Sequence, residues 1–221
     1  MRILITGTSS GIGQAVAKYF LEKGHVVSGL DLNESTIDHK NYTHYVCDIK
    51  NEAKLPDIKD VEILINNAGL QNSLDDIDNN LKGTIYVTEK YTKGNKALKS
   101  VLFNASASSI SGSEFPLYAA SKAGVVGYMK NVAIRLAKDK VTVNAISLGG
   151  VKTSLNKEVM EDKELWNKIM DVTPMKKWTD VDEVCEWIYF LTMVNKSCSG
   201  QNILIDNGEY ELNDNFVWPK I

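Results

Sequence analysis

Residues 2–13 leave the chain few choices of fold. A short apolar run, residues 2–6 (RILIT), passes straight into Thr6-Gly7-Thr8-Ser9-Ser10-Gly11-Ile12-Gly13. Residues 12–23 follow, where Ile12, Val16, Phe20 and Leu21 recur on one helical face. The order is strand, glycine-rich turn, helix. Gly7 permits the tight turn, Gly11 lets the backbone approach a pyrophosphate, and Gly13 lets the helix sit close to the strand. The helix then begins where free N–H groups and the helix dipole favour an anion. Gly24 closes it as the expected C′ glycine.

The rest of the chain repeats this alternation. Strands are expected at residues 25–30, 42–46, 61–66, 100–105, 141–146 and 202–205, and helices around 74–93, 117–138 and 180–194. Strands alternating with helices make βαβ units. The expected fold class is therefore α/β, a Rossmann-like doubly wound, mostly parallel seven-stranded sheet with helices on both faces. A length of 221 residues suits a single domain over 1–221. Residues 50–60, which include Pro56, are too few for a full helix and read as a turn. Residues 155–170 read as a mobile helical piece within a substrate flap at about 148–175. The tail 209–221 carries Tyr210, Phe216 and Trp218 without a clear period. It fits packing on its own subunit or reaching across a subunit interface.

Several function classes are disfavoured. A net charge of −3 does not suit a general nucleic-acid surface. No run approaches the ~20 apolar residues of a membrane span, and MRILITG does not read as a signal peptide. Cys47, Cys185 and Cys198 have neither disulfide-framework nor zinc spacing, so no metal is expected and a cytoplasmic location is.

Asp31 ends the second strand, 18 residues beyond Gly13, where a carboxylate can accept hydrogen bonds from adenosine ribose hydroxyls and repel a 2′-phosphate. Leu32, Asn33 and Glu34 follow, with no Arg or Lys, and Ser10 supplies no cation. The expected cofactor is NAD(H) rather than NADP(H). Further on, Tyr118 and Lys122 stand four apart at the start of a strong helical pattern, so phenol and ammonium share one face. A free tyrosine has a pKa of ~10, and a neighbouring ammonium favours the phenolate. The pair suits proton transfer to an alkoxide forming at a carbonyl, or the reverse. Ser106 lies 12 residues before Tyr118 at the end of the fifth strand, where its hydroxyl can hold a substrate oxygen. Ser108 and Ser109 compete for that role.

Together these motifs resemble the short-chain dehydrogenase/reductase family over most of the chain. The resemblance rests on the loop Thr6–Gly13, Asp31, the Asn66-Asn67-Ala68-Gly69 turn, Asn80-Leu81-Lys82-Gly83, and Ser106, Tyr118 and Lys122 in that order. It implies that Tyr118 is the general acid/base. Lys122 would lower its pKa and hold the nicotinamide ribose. Ser106 would orient the substrate oxygen, and Asn80 would keep a helix locally open for a water relay from Lys122. It also implies cofactor contacts from Gly7, Ser9, Ser10, Gly11, Ile12, Gly13, Asp31, Leu32, Cys47, Asp48, Ile49, Asn67, Ala68 and Gly69. Gly150, Val151 and Thr153 would hold the carboxamide. A small-molecule carbonyl or alcohol substrate and a homodimer or homotetramer follow from the same resemblance.

The chain departs from the family in three places. The segment between Gly69 and Asn80 is about a dozen residues short. Leu148 stands where proline is usual, and a peripheral helix after the third strand is reduced. The shortened rim keeps a second reading in play, a non-catalytic NAD(H)-binding regulator on the same fold. A lyase or epimerase that retains its NAD needs more chain than this one offers.

Overall fold

The structure is a computed structural model that describes residues 1–113 and 115–212. In chain order the elements are β1 (Arg2–Thr6), α1 (Gly11–Glu22), β2 (Val26–Asp31), β3 (Tyr42–Val46), β4 (Ile63–Asn66), α2 (Thr84–Thr92), β5 (Ser100–Asn104), α3 (Ser108–Ser111), α4 (Pro116–Leu136), β6 (Thr142–Leu148), α5 (Lys157–Glu161), α6 (Lys163–Val172), α7 (Val181–Tyr189) and β7 (Asn202–Ile205). The strands form one seven-stranded sheet in the order β3-β2-β1-β4-β5-β6-β7, and every neighbouring pair is parallel.

Side-chain alternation along the strands supplies two cores. In β1, Ile3 and Ile5 face α1 and α7, packing with Val16, Phe20, Val184 and Ile188, while Leu4 faces α2 and α4 with Val87, Val125 and Met129. All four residues of β4 are buried, as expected of a strand covered on both faces. Helix ends carry their own stops and starts. Gly24 at φ +80 closes α1: its N–H bonds Leu21 O at 2.9 Å and the His25 N–H bonds Phe20 O at 3.1 Å. Pro116 opens α4, and Asp180 with Glu183 forms a capping box on α7.

Several boundaries differ from expectation. β4 begins at Ile63 rather than at residue 61, because Asp60 takes a left-handed backbone (φ +56) that turns the chain just before it. β6 runs to Leu148, which pairs with Ile205 and accepts the Ala107 N–H at 2.8 Å, so Leu148 continues the sheet rather than starting a turn. The helix expected over 74–93 opens as a π-helical stretch, Ile77–Gly83, before α2, and that expected over 180–194 ends in another, Phe190–Val194. Residues 50–60 hold only the 3-10 turn Glu52–Lys54. The flap is three pieces: a 3-10 turn Ser154–Asn156, α5 and α6. Asp162 separates the last two and caps α6 by accepting the N–H groups of Glu164 and Leu165. Phe216 and Trp218 of the tail lie outside the described residues. No described helix is long and apolar enough to cross a membrane.

Strand order reverses between β1 and β4, and the carboxyl ends at such a switch point are where ligands bind in open α/β sheets. The motifs read from sequence gather around it.

Candidate active site

The glycine loop is clamped to its neighbours by side chains from the turn after β4. Thr6 Oγ1 accepts the N–H groups of Asn67 and Ala68, both at 2.9 Å. Asn67 Nδ2 donates to Thr6 O at 3.0 Å and Gly7 O at 3.3 Å, while its Oδ1 accepts Asn104 Nδ2 at 2.9 Å. The room for this comes from glycine. A Cβ on Gly13 would run into the Gly7 carbonyl, and one on Gly7 (φ +77) would lie 2.9 Å from Ala68 Cα. Gly11 differs: it takes φ +54 and faces open space, with nothing within 4 Å of a Cβ built there. The first turn of α1 holds no acidic side chain and Ser10 makes no side-chain cap. The first backbone bond is Gln14 N to Ser10 O, so the N–H groups of Gly11, Ile12 and Gly13 precede the helical ladder. Here the helix offers its positive end to an anion.

Asp31 sits beside this loop and already supports it. Its Oδ2 accepts the Ser9 N–H at 2.9 Å, and its Oδ1 accepts Asn33 N at 2.9 Å. The Ser9 hydroxyl donates toward Asn33 O (3.2 Å) and Glu34 O (3.0 Å), so Ser9 serves the loop after β2. A carboxylate has about four lone-pair sites, and further acceptor capacity remains on Asp31. Leu32 is exposed. Of the segment after β3, Asp48 Oδ1 accepts Lys50 N at 2.9 Å, and Cys47 is half-buried, its thiol pushed up by burial. The Ile49 side chain is a core residue wedged against Gly83, away from any ligand role for that side chain.

Lys122 reaches the carboxyl end of β5. Lys122 is 5 % exposed and its Nζ donates to Asn104 O at 2.8 Å. The same Nζ lies 5.7 Å from the centre of the Tyr118 ring. Burial of the ammonium pushes Lys122 down to about 8, against the smaller opposing pull of Asp76. Two residues beyond Asn104, Ser106 Oγ and Ser108 Oγ share a hydrogen bond of 2.7 Å, both buried. Ser109 turns away and pairs with Ser147 at 3.1 Å, which leaves Ser106 and Ser108 as the hydroxyls at this position.

Asn80 closes the shortened rim. Its Oδ1 accepts Leu70 N at 2.7 Å and its Nδ2 donates to Leu70 O at 2.9 Å and Ser121 Oγ at 3.1 Å. It lies in the π-helical stretch 77–83, and a Cβ on Gly69 would sit 3.3 Å from both Asn80 Oδ1 and Lys122 Nζ. Asn80, Gly69 and Lys122 therefore adjoin one another. After β6, Gly150 gives way to the Trp178 ring, Val151 bridges to Thr179, and Thr153 precedes the 3-10 turn Ser154–Asn156. Trp166 reaches Trp178 edge-on at 5.1 Å, but Leu155 and Leu165 of the flap face outwards, 75 % and 41 % exposed. A hollow of about 450 Å³ lined by Arg2, Asp60, Glu62 and Lys99 lies at the amino ends of the strands. Its ion pairs account for those charges, and the chemistry-bearing residues lie at the other end.

Three residues of this arrangement escaped sequence reasoning. Thr6 and Asn104 tie the loops together, and Asp76 is a buried carboxylate near Lys122. Thr6 and Asn104 sit at the ends of β1 and β5, a position that could have marked them.

Residues 7–209 match the family model described as Enoyl-(Acyl carrier protein) reductase. The chain is a short-chain dehydrogenase/reductase. Members of that family are oxidoreductases. This short-chain dehydrogenase/reductase is 28% identical over 235 residues to the 3-oxoacyl-[acyl-carrier-protein] reductase FabG of Buchnera aphidicola, covering 93% of this chain and 96% of that protein. It is 26% identical to the 2-dehydro-3-deoxy-D-gluconate 5-dehydrogenase of Escherichia coli, covering 93% of each. Among solved structures it superimposes on 4-hydroxyisoleucine dehydrogenase complexed with NADH with a TM-score of 0.87 and 27% identity, over 96% of this chain and 99% of that one.

Proposed function

We propose that this protein is an NAD(H)-dependent oxidoreductase that interconverts a small-molecule carbonyl and a secondary alcohol, with Tyr118 as general acid/base. The observation that carries this reading is the buried Lys122 ammonium, fixed on Asn104 O and held beside the Tyr118 ring. A buried cation is costly unless it has a task, and favouring a phenolate is such a task. A nicotinamide dinucleotide fits the residues present: Gly11 leaves an open cradle at the start of α1, and Asp31 adjoins it.

When bound, the nicotinamide supplies or accepts the hydride. The protein's part is positional and electrostatic. The N–H groups of Gly11 to Gly13 would bind the pyrophosphate, and Asp31 would accept hydrogen bonds from the ribose hydroxyls. Ser106, in hydrogen-bond contact with Ser108, orients the substrate oxygen. Tyr118 donates its phenolic proton to that oxygen in reduction and takes it back in oxidation, with Lys122 stabilising the phenolate. Asn80 fixes the rim beside Lys122, and Gly150, Val151 and Thr153 would hold the carboxamide.

The preference for NAD(H) rests on Asp31, since a solved structure sharing the fold at 24% identity holds NADP. A homodimer or homotetramer is the proposed assembly, supported by exposed Ile134 on α4 and by Trp187 and Phe190 on and just after α7. Titration of the cofactor-free protein with NADH and then NADPH, followed by Trp-excited fluorescence, tests the reading. NADH should bind at least about tenfold more tightly, roughly 1.4 kcal/mol. Equal or tighter NADPH binding refutes the cofactor choice, and binding of neither refutes the site.

A further inference from the structure

Two neighbours orient Asp31. Its Oδ2 accepts the Ser9 N–H at 2.9 Å, and its Oδ1 accepts Asn33 N at 2.9 Å and Asn33 Nδ2 at 3.3 Å. Asn33 is fixed in turn from its other side. Its carbonyl accepts the Ser9 hydroxyl at 3.2 Å and lies 2.8 Å from His44 Nε2. A carbonyl only accepts, so His44 carries a proton on Nε2 and donates it. His44 Nδ1 is 2.8 Å from the Tyr42 hydroxyl, and that hydroxyl is 2.8 Å from Thr8 Oγ1. An unbroken chain of hydrogen bonds thus runs from the buried Thr8 of the glycine loop to the backbone that holds Asp31.

Ordinary strand packing explains part of this. Tyr42 and His44 are two apart on β3, the edge strand, so they share one face of the sheet. The backbone ladder already holds β3, pairing Tyr42–Val46 with Val27–Asp31. It does not account for the ends of the chain of bonds, Thr8 and Asn33, which belong to neither strand. Nor does it account for Gly29, which stands opposite His44 in register. A Cβ there would collide with both the Tyr42 hydroxyl and Thr8 Oγ1, so the bond between them needs a bare backbone at this position.

We propose that Tyr42 and His44 are positioning residues for the cofactor's adenosine ribose, a strut from Thr8 to Asn33 that keeps the Asp31 carboxylate turned to the ribose hydroxyls and so sets the discrimination against a 2′-phosphate. The inference rests on the NAD(H) reading of Asp31. The ribose is met by the lone pairs that Asp31 keeps after accepting from Ser9 and Asn33. A carboxylate held from both sides does not swing away from a 2′-phosphate. One released together with Asn33 does.

Calorimetric titration of the cofactor-free protein with NADH and with NADPH gives the ratio of the two dissociation constants, which a merely structural role would not move. Tyr42→Phe removes the hydroxyl at the middle of the strut, and His44→Leu removes the link to Asn33. In each, losing about one net hydrogen bond should narrow the ratio about fivefold, mainly by weakening NADH. His44→Gln keeps an amide donor at the same remove from the backbone and should restore most of the parent ratio. In an Asp31→Ala background, Tyr42→Phe should leave the ratio where Asp31→Ala puts it, because the strut acts through that carboxylate. Tyr42→Phe is the mildest change and stands if His44→Leu fails to fold. A ratio within about twofold of the parent in Tyr42→Phe overturns the proposal, as does an equal shift with and without Asp31. A parent that prefers NADH while the variants leave the ratio unmoved refutes the strut alone. A parent with no preference for NADH refutes the cofactor reading on which the strut rests.

Discussion

Replacing Gly13 and Gly11 by alanine should separate folding from binding within one loop. A methyl on Gly13 collides with the Gly7 carbonyl and comes within 2.5 Å of Asn67 Nδ2. Neither neighbour can yield cheaply. The carbonyl is backbone, and Asn67 Nδ2 is the clamp on Thr6 O and Gly7 O. Overpacking costs about 1–3 kcal/mol. Losing the two clamp bonds adds about 1 kcal/mol each. Alanine in a helix returns about 0.5–1 kcal/mol. The net is a loss of roughly 2–4 kcal/mol, or a Tm about 5–12 °C lower for a chain of this size. Gly11 has open space around it and only its φ of +54 to satisfy, so Gly11→Ala should cost about 1 kcal/mol. Its methyl stands where the pyrophosphate approaches, so it should weaken NADH binding by more than it weakens the fold. Thermal melts of both cofactor-free variants, with an NADH titration of each folded protein, measure all four quantities. A Gly13→Ala protein as stable as the parent, or a Gly11→Ala protein less stable than Gly13→Ala, would refute the reasoning.

Carbonyl reduction should fade as pH rises through about 8, because the Lys122 ammonium is present below that value and lost above it. The pH–rate profile reports this as the alkaline limb of the Tyr118–Lys122 pair, and a limb flat to pH 10 contradicts it. Among the serines, Ser106→Ala should lower kcat by about 10²-fold if its hydroxyl meets the developing charge. Ser109→Ala, whose hydroxyl is turned to Ser147, should stay near the parent value. Equal losses in the two variants would remove Ser106 from its role.

The parallel sheet and the loop were legible because their signals are local and redundant. Gly7, Gly11 and Gly13 each mark a backbone approach that a side chain would block, and the period of the apolar residues marks which faces are covered. Lys122 was legible because its spacing from Tyr118 is a helix face. Less legible were features set by contacts distant in sequence. Ile49 follows the third strand like a ligand contact, yet its side chain fills the space beside Gly83. Ser9 sits in the loop, yet its hydroxyl bonds residues 33 and 34, which no local pattern announces. The 74–93 pattern reads as a single helix, whereas Asn80 bonds Leu70 with its side chain within a π-helical stretch. Asp76 carries no local signal in the sequence, and only its complete burial marks it.

Tyr118→Phe tests the central claim most directly. The variant removes one oxygen and leaves the glycine loop, Asp31 and the Lys122–Asn104 bond in place. NADH affinity should stay within about threefold of the parent, less than 1 kcal/mol. Turnover of any carbonyl that the parent reduces should fall by at least about 10²-fold, the smaller end of what a positioned proton donor contributes. A variant that binds NADH and still reduces such a carbonyl at the parent rate would contradict the account.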